Sequence, residues 1–305
     1  MVNKNLIKRL SHSSERPIRD AAFEELESLI NNDELVFEDI ELRGIFEGIF
    51  WCFWFADKPA YQEDLMKRIV KFTDAIKDES KKLMWVRYFF KCLCLHWNSI
   101  DSYSMNEYLS LLRSQLVCIF SHIKSLWKTK PKRVRKYMNA IYEESLKESD
   151  VPLGVGMHMA DIYLDELISC FDKDDLTHKH ISQLLKPFLK ALGNSKQLAL
   201  FQRVKEKIFE QLIDKAKESY EYFPKLNLKE YGEVDIFKVA SAKDTMESRR
   251  SDIYGLYDKA TGKEVEKVED LPYAERLRQI EINALALKSP KTKHQKKKLI
   301  RERVK

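Results

Sequence analysis

The chain is poor in the two residues that punctuate turn-rich folds. Its 305 residues include 8 glycines and 8 prolines, which argues against a sandwich or barrel of many short strands. Cysteine is also scarce. The 5 present are irregularly spaced, do not make a disulfide framework, and point to a reducing compartment. Long apolar runs are missing. The longest, residues 49–56, is far short of the ~20 needed to cross a bilayer, so no membrane association is expected. The opening MVNKNLIKRL has no apolar stretch of the length a secretory signal requires. The glycines are too scattered for a phosphate-binding loop, and no nucleophile elbow occurs. An enzyme is therefore not expected, and neither a cofactor, a bound metal nor a small-molecule substrate.

What remains is helix-forming. Hydrophobic residues make up 44% and charged residues 33%, enough for a sizeable core beneath a well-solvated exterior. Apolar residues recur at three- and four-residue steps along most of the chain. In RPIRDAAFEELESLI, Ile18, Ala22, Leu26 and Leu29 share a face, with Pro17 suited to the first turn. Helices are predicted over about 40–56, 61–76, 81–96, 105–127, 134–146, 154–171, 181–192 and 197–217, then shorter ones over 235–243, 249–259 and 271–287. Short connections imply antiparallel neighbours, and helix pairs arriving every 40 or so residues suggest a HEAT- or armadillo-like array. The expected class is all-α: a solenoid-like domain over 1–220, an appended helical segment over 221–287 and a basic tail over 288–305.

The net charge of +6 is unevenly placed. Residues 288–305 hold nine Lys/Arg against Glu302, so the other 287 residues carry −2. This tail has little to bury and is expected to be disordered when free. A second basic stretch, KTKPKRVRK at 128–136, lies between Trp127 and Tyr137. Lys and Arg at such density attract phosphates by counterion release, without reading base sequence. Candidate RNA contacts are Lys128, Lys130, Lys132, Arg133, Arg135 and Lys136, and in the tail Lys293, Lys296, Lys297, Lys298, Arg301 and Arg303. The plainer readings are a solvated helix start for the first and a nuclear-import signal for the second.

Two clusters invite a catalytic or metal reading. CLCLHW brings Cys92, Cys94 and His96 together, but on a helix Cys94 lies about 200° around from the other two. DKDDLTHKHIS fails as a calcium loop, having Thr177 and Gln183 at its sixth and twelfth positions. Buried helix residues and an interhelical loop with helix-capping aspartates are the expected roles.

FWCFWFADKP, residues 50–59, is the densest aromatic run. Trp51 and Trp54 share one helical face and Phe50 and Phe53 an adjacent one, which predicts a helix enclosed by protein rather than a partner surface or a base-stacking platform. The expected role of Asp57 and Lys58 is to cap and fix the turn into the next helix, with partner contact as the alternative.

This stretch resembles the ribosomal RNA-processing protein 1 family, which carries an aromatic-Cys-x-Trp-x-x-Asp-Lys-Pro signature followed by Gln-Glu-x-Leu. Here it reads Trp51, Cys52, Phe53, Trp54, Asp57, Lys58 and Pro59, then Gln62, Glu63 and Leu65. Further matches are Arg19 and Asp20; Trp97, Ile100, Asp101, Tyr108 and Arg113; Gly154, Val155, His158, Asp161, Tyr163 and Glu166; Pro187 and Phe188; and Arg249, Arg250 and Tyr254. The resemblance implies a non-catalytic assembly factor of the large ribosomal subunit, nuclear and nucleolar. Its implied partners are pre-rRNA and pre-60S assembly-factor proteins, with no stable homo-oligomer.

Overall fold

Helices account for all the regular structure of the residues described by the computed structural model: 4–12, 15–35, 38–149, 151–218 and 222–262. The first ten are α1 Lys4–His12, α2 Arg16–Asn31, α3 Asp39–Trp54, α4 Pro59–Ala75, α5 Glu79–His96, α6 Met105–Leu126, α7 Pro131–Ser145, α8 Leu153–Cys170, α9 His178–Leu184 and α10 Lys186–Asn194. A π-helical stretch, Lys205–Glu210, joins α11 Leu198–Val204 to α12 Gln211–Glu218. A second one, Gly232–Ile236, joins α13 Leu228–Tyr231 to α14 Phe237–Ala240, and α15 Glu247–Thr261 follows.

Local chemistry sets where helices begin. Pro17, Pro59, Pro131 and Pro187 occupy first turns, where a missing N–H costs nothing. Asp78 caps α5 by accepting hydrogen bonds from the N–H groups of Ser80 at 2.9 Å and Lys81 at 2.8 Å. Pro187 also ends α9. It has no N–H to continue the ladder, so the single helix expected over 181–192 is two, parted at Leu185.

Each helix packs against the next member of its own layer, two places along the chain as far as α8 and three or four places beyond it. The even layer runs α2, α4, α6, α8 and α11; the odd layer runs α1, α3, α5, α7, α10 and α14. This is the two-layer stacking of an all-α helical repeat array. Side chains bond between neighbours within the even layer, Arg68 to Glu27 and Cys118 to Val70, and across the layers, Tyr108 to Phe50. The core lies between the layers. Its largest fully buried side chains include Trp85, Tyr108, Tyr137, Tyr163 and Tyr231, each stabilising by roughly 1.5–3 kcal/mol through burial. Two of these hydroxyls are satisfied by backbone: Tyr108 donates to the Phe50 carbonyl at 2.9 Å and Tyr163 to the Leu184 carbonyl at 2.6 Å.

Residues 222–262 continue the array. α13 packs on α9, α14 on α10, and α15 on α13, α14 and the π-helical turn between them. The Arg250 guanidinium holds the turn before α15 by donating to the carbonyls of Ala240 at 2.6 Å, Ala242 at 2.7 Å and Thr245 at 3.0 Å. α15 stops at Gly262, whose φ of +70° is costly for other residues. Two findings differ from the periodicity reading: α1 was not anticipated, and the helical turns expected from 235 begin at Leu228. The helix expected over 271–287 and the tail over 288–305 lie outside the described residues.

Candidate nucleic-acid and partner surfaces

The loops that lead from odd helices into even ones lie along one edge of the array; the aromatic signature, Arg19, Trp97 and Gly154 meet there, and the other signature residues extend from it along the helices. Arg19, buried on α2, donates to the Phe55 carbonyl at 3.2 Å, and its guanidinium lies 5.2 Å from the Phe55 ring. Beside it the Tyr61 hydroxyl donates to the Asp20 carboxylate. Phe50 and Phe53 pack on Tyr108 with ring centroids 4.8 and 5.1 Å apart. Trp97 lies over Gly154 so closely that a Cβ there would sit 2.9 Å from the indole. The His158 ring meets the Leu109 carbonyl at 3.1 Å, and Arg113 pairs with Glu166. Asp101 accepts from the N–H groups of Tyr103 and Ser104 at 2.9 and 2.8 Å, forming the turn before α6. These backbone hydrogen bonds hold its carboxyl below the usual range. Pro187 is buried and Arg249 lies 4.9 Å from the Phe201 ring. Blocks far apart in sequence thus form one chain of contacts from α2 to α15.

Two expectations fail at this edge. Phe50, Cys52 and Phe53 are buried, but Trp51 and Trp54 are only half-buried. α3 borders α5 within its layer, and the two indoles fall on its outward face, where no third helix among the described residues covers them. They form a ledge with His96: Trp51 lies 5.8 Å from Trp54 and 5.6 Å from His96, both edge-on. The second correction concerns Asp57 and Lys58. Both are exposed, and Lys58, the residue preceding α4, makes no side-chain cap. Arg19 and Asp20 fix the turn instead, which leaves the Asp-Lys pair facing solvent.

The basic stretch 128–136 forms the turn from α6 into the first turns of α7. Lys128, Lys130, Lys132, Arg135 and Lys136 are exposed. Arg133 is turned inward, donating to the Ser80 hydroxyl at 3.2 Å. The flanking aromatics are not free to stack on bases. Tyr137 is buried, and Trp127 is held edge-on against His180 with 4.0 Å between ring centroids.

Sequence reasoning missed the rest of the basic surface. On α7, positions 132, 136, 139 and 143 follow one stripe. Asn139 of this stripe accepts from Lys190 of α10 at 3.3 Å, and Glu144 pairs with Arg87 of α5. Lys186 lies one turn from Lys190. Formal charges make the point: α5, α7 and α10 carry +3, +2 and +2, whereas α4, α6 and α8 carry 0, +1 and −3. Cations are concentrated on the odd layer. The signal was present in the sequence but becomes readable only once alternate helices are known to be neighbours.

The profile of the family described as "Nucleolar protein, Nop52" matches residues 1–298. The chain belongs to this family. Among curated relatives, a ribosomal RNA processing protein 1 homolog of Dictyostelium discoideum is 28% identical over 84% of this chain and 57% of its own length. Ribosomal RNA processing protein 1 homolog B of Homo sapiens is 30% identical over 67% of this chain and 27% of its own. A homolog of Caenorhabditis elegans is 28% identical over 73% of this chain and 58% of its own. The chain thus spans little more than half, or less, of the relatives it matches. The family's description is that of a nucleolar protein, and these relatives are named as ribosomal RNA processing proteins.

Within this Nop52-family chain the two remaining clusters have structural partners. Cys92 faces Glu47 of α3; burial is the main cause raising its thiol's pKa, and Glu47 adds to it. Cys94 points the other way, its Sγ 3.4 Å from the Glu144 carbonyl and its pKa pushed up to about 12 by burial. His96 sits between Phe50 and Trp51. The three side chains diverge, and no group able to hold a metal ion occurs among the described residues. In 172–182 the aspartates do not cap α9 as expected. Asp172 pairs with Lys124 at 2.9 Å and Asp174 with Lys225 at 3.1 Å, while Ser182 donates to Asp235 at 2.6 Å and so ties α9 to the π-helical turn. No helix among the described residues is long and apolar enough to cross a membrane.

Proposed function

We propose that this chain is a non-catalytic assembly factor of the large ribosomal subunit, working in the nucleolus as a helical scaffold in pre-rRNA maturation. The observation that carries the reading is the segregation of charge between layers in a Nop52-family chain. Exposed Lys132, Arg135 and Lys136, extended by Lys186, form a surface that neutralises rRNA phosphates without reading base sequence. The signature edge and the opposite ends of these helices are left for assembly-factor proteins. The basic residues of 288–305 add a second contact with the same chemistry. The protein acts as a monomer, with no cofactor and no small-molecule substrate.

Affinity purification with RNA crosslinking is the decisive experiment. Large-subunit precursors are expected to co-purify, with crosslinks to α7. Recovery of small-subunit precursors alone, or of no ribosomal RNA, would sink the reading. Deleting 288–305 is expected to lower RNA affinity and flatten its salt dependence; unchanged affinity would remove the tail from this role.

A further inference from the structure

We infer that the outward face of α3, α5 and α7, at the end nearest the signature edge, docks an acidic–apolar segment of a partner protein. The inference rests on the scaffold reading above and adds to it a place and a ligand chemistry. Leu95 stands on the outer ridge of α5 and is 78% exposed, unusual for a leucine within a helix of 18 residues. On one side of it is the Trp51–Trp54–His96 ledge. On the other is an open cleft of about 910 Å³ whose lining includes Cys94, Leu95 and Val151. Burial holds the His96 pKa below the usual imidazole value, so the ledge is uncharged at neutral pH. Apolar groups therefore run continuously from α3 to the cleft. A tryptophan- and leucine-centred patch within a charged rim has the composition of a protein-binding hot spot.

The rim specifies the charge of the occupant. Arg87 is paired with Glu144, and Lys147 with Glu143 at 3.2 Å. Lys91 and Lys190 are set differently: Lys91 lies 5.0 Å from the Tyr88 ring, and Lys190 lies 4.7 Å from the Tyr142 ring and bonds the neutral Asn139 amide. Lys91 and Lys190 thus stand outside these ion pairs, beside Leu95 and Val151. Their complement is a segment bearing carboxylates beside one or two large apolar anchors. A continuous polyanion such as RNA is disfavoured here, because Glu47, Glu143 and Glu144 leave places for an anion only beside Lys91 and Lys190, which discrete carboxylates on a peptide can meet. No carboxylate interrupts residues 128–136, the basic stretch of α7 and its leading turn.

The test is selection of a displayed library of short random peptides against the full chain, with the Leu95→Glu variant as counter-target. Leu95 is exposed, so the variant is expected to keep the wild-type melting temperature, measured first. Enriched sequences are expected to combine Asp or Glu with Leu, Phe or Trp. The best of them, as a synthetic peptide, should shift tryptophan emission and bind Leu95→Glu about tenfold or more weakly, while binding of a single-stranded RNA stays within about twofold. Enrichment of basic peptides, equal binding to Leu95→Glu, or an equal loss of RNA binding in that variant would overturn the inference. None of these outcomes bears on whether large-subunit precursors co-purify, so the scaffold reading stands or falls separately.

Discussion

The two layers of the array are built alike inside and differently outside. Helices α4, α6 and α8 and helices α5, α7 and α10 all turn an apolar stripe inward. The first set carries net charges of 0, +1 and −3, and the second +3, +2 and +2. Core packing asks only that the inner stripe be apolar and of suitable volume, so it cannot account for the difference. The outer faces are where a requirement other than folding is written.

The largest effect should come where the layers meet. Phe53 of α3 packs edge-on against Tyr108 of α6 and is fully buried. Phe53→Ala is expected to cost about 3–5 kcal/mol in chemical denaturation, as large core truncations do. Trp54→Ala, one residue on but half-buried, should cost less than about 2 kcal/mol. Equal losses would mean that the ledge is core after all and would erase the inner–outer distinction at this helix.

Next comes the comparison of outer faces. Lys132→Glu with Lys136→Glu on α7 is expected to weaken RNA binding by tenfold or more and to reduce the salt slope by about two. The same reversal at the exposed Lys67 and Lys71 of α4 should leave affinity within about twofold. Similar losses from both would show that net charge, not its placement, drives binding.

The smallest effect is shared by both layers. His96, His122, His158 and His180 are each held below the ordinary value of 6.5, chiefly by burial. The unfolded chain therefore binds more protons than the folded one as pH falls through this range. Stability should be full above about 6.5 and decline below it. A melting temperature that stays flat or rises from pH 7 to pH 5 would contradict these burials.

Much of the fold was legible because helical period and proline position are local properties. The spans of α3 to α8 were readable from spacing alone, as was the all-α class. The split at Leu185 was missed because the apolar stripe of 181–192 runs through it. The half-burial of Trp51 and Trp54 was missed for a different reason: a helical wheel shows that a helix is apolar all round, but not whether a neighbour exists on every side. The functional roles were harder still. Asp57 and Lys58 read as a cap, but the turn they precede is held by Arg19 and Asp20, more than 30 residues earlier. Lys186 and Lys190 were unremarkable until α10 was seen to lie beside α7.

Second-neighbour stacking also governs how disturbance spreads. A helix that touches only the members of its own layer next to it and the partner across the core passes strain a short distance before solvent absorbs it. Among the described residues the first and last helices are stacked on one side only, so amide exchange there should slow from either end toward α6 and α7. Such a molecule can be peeled from a large particle one grip at a time, with its far end still attached.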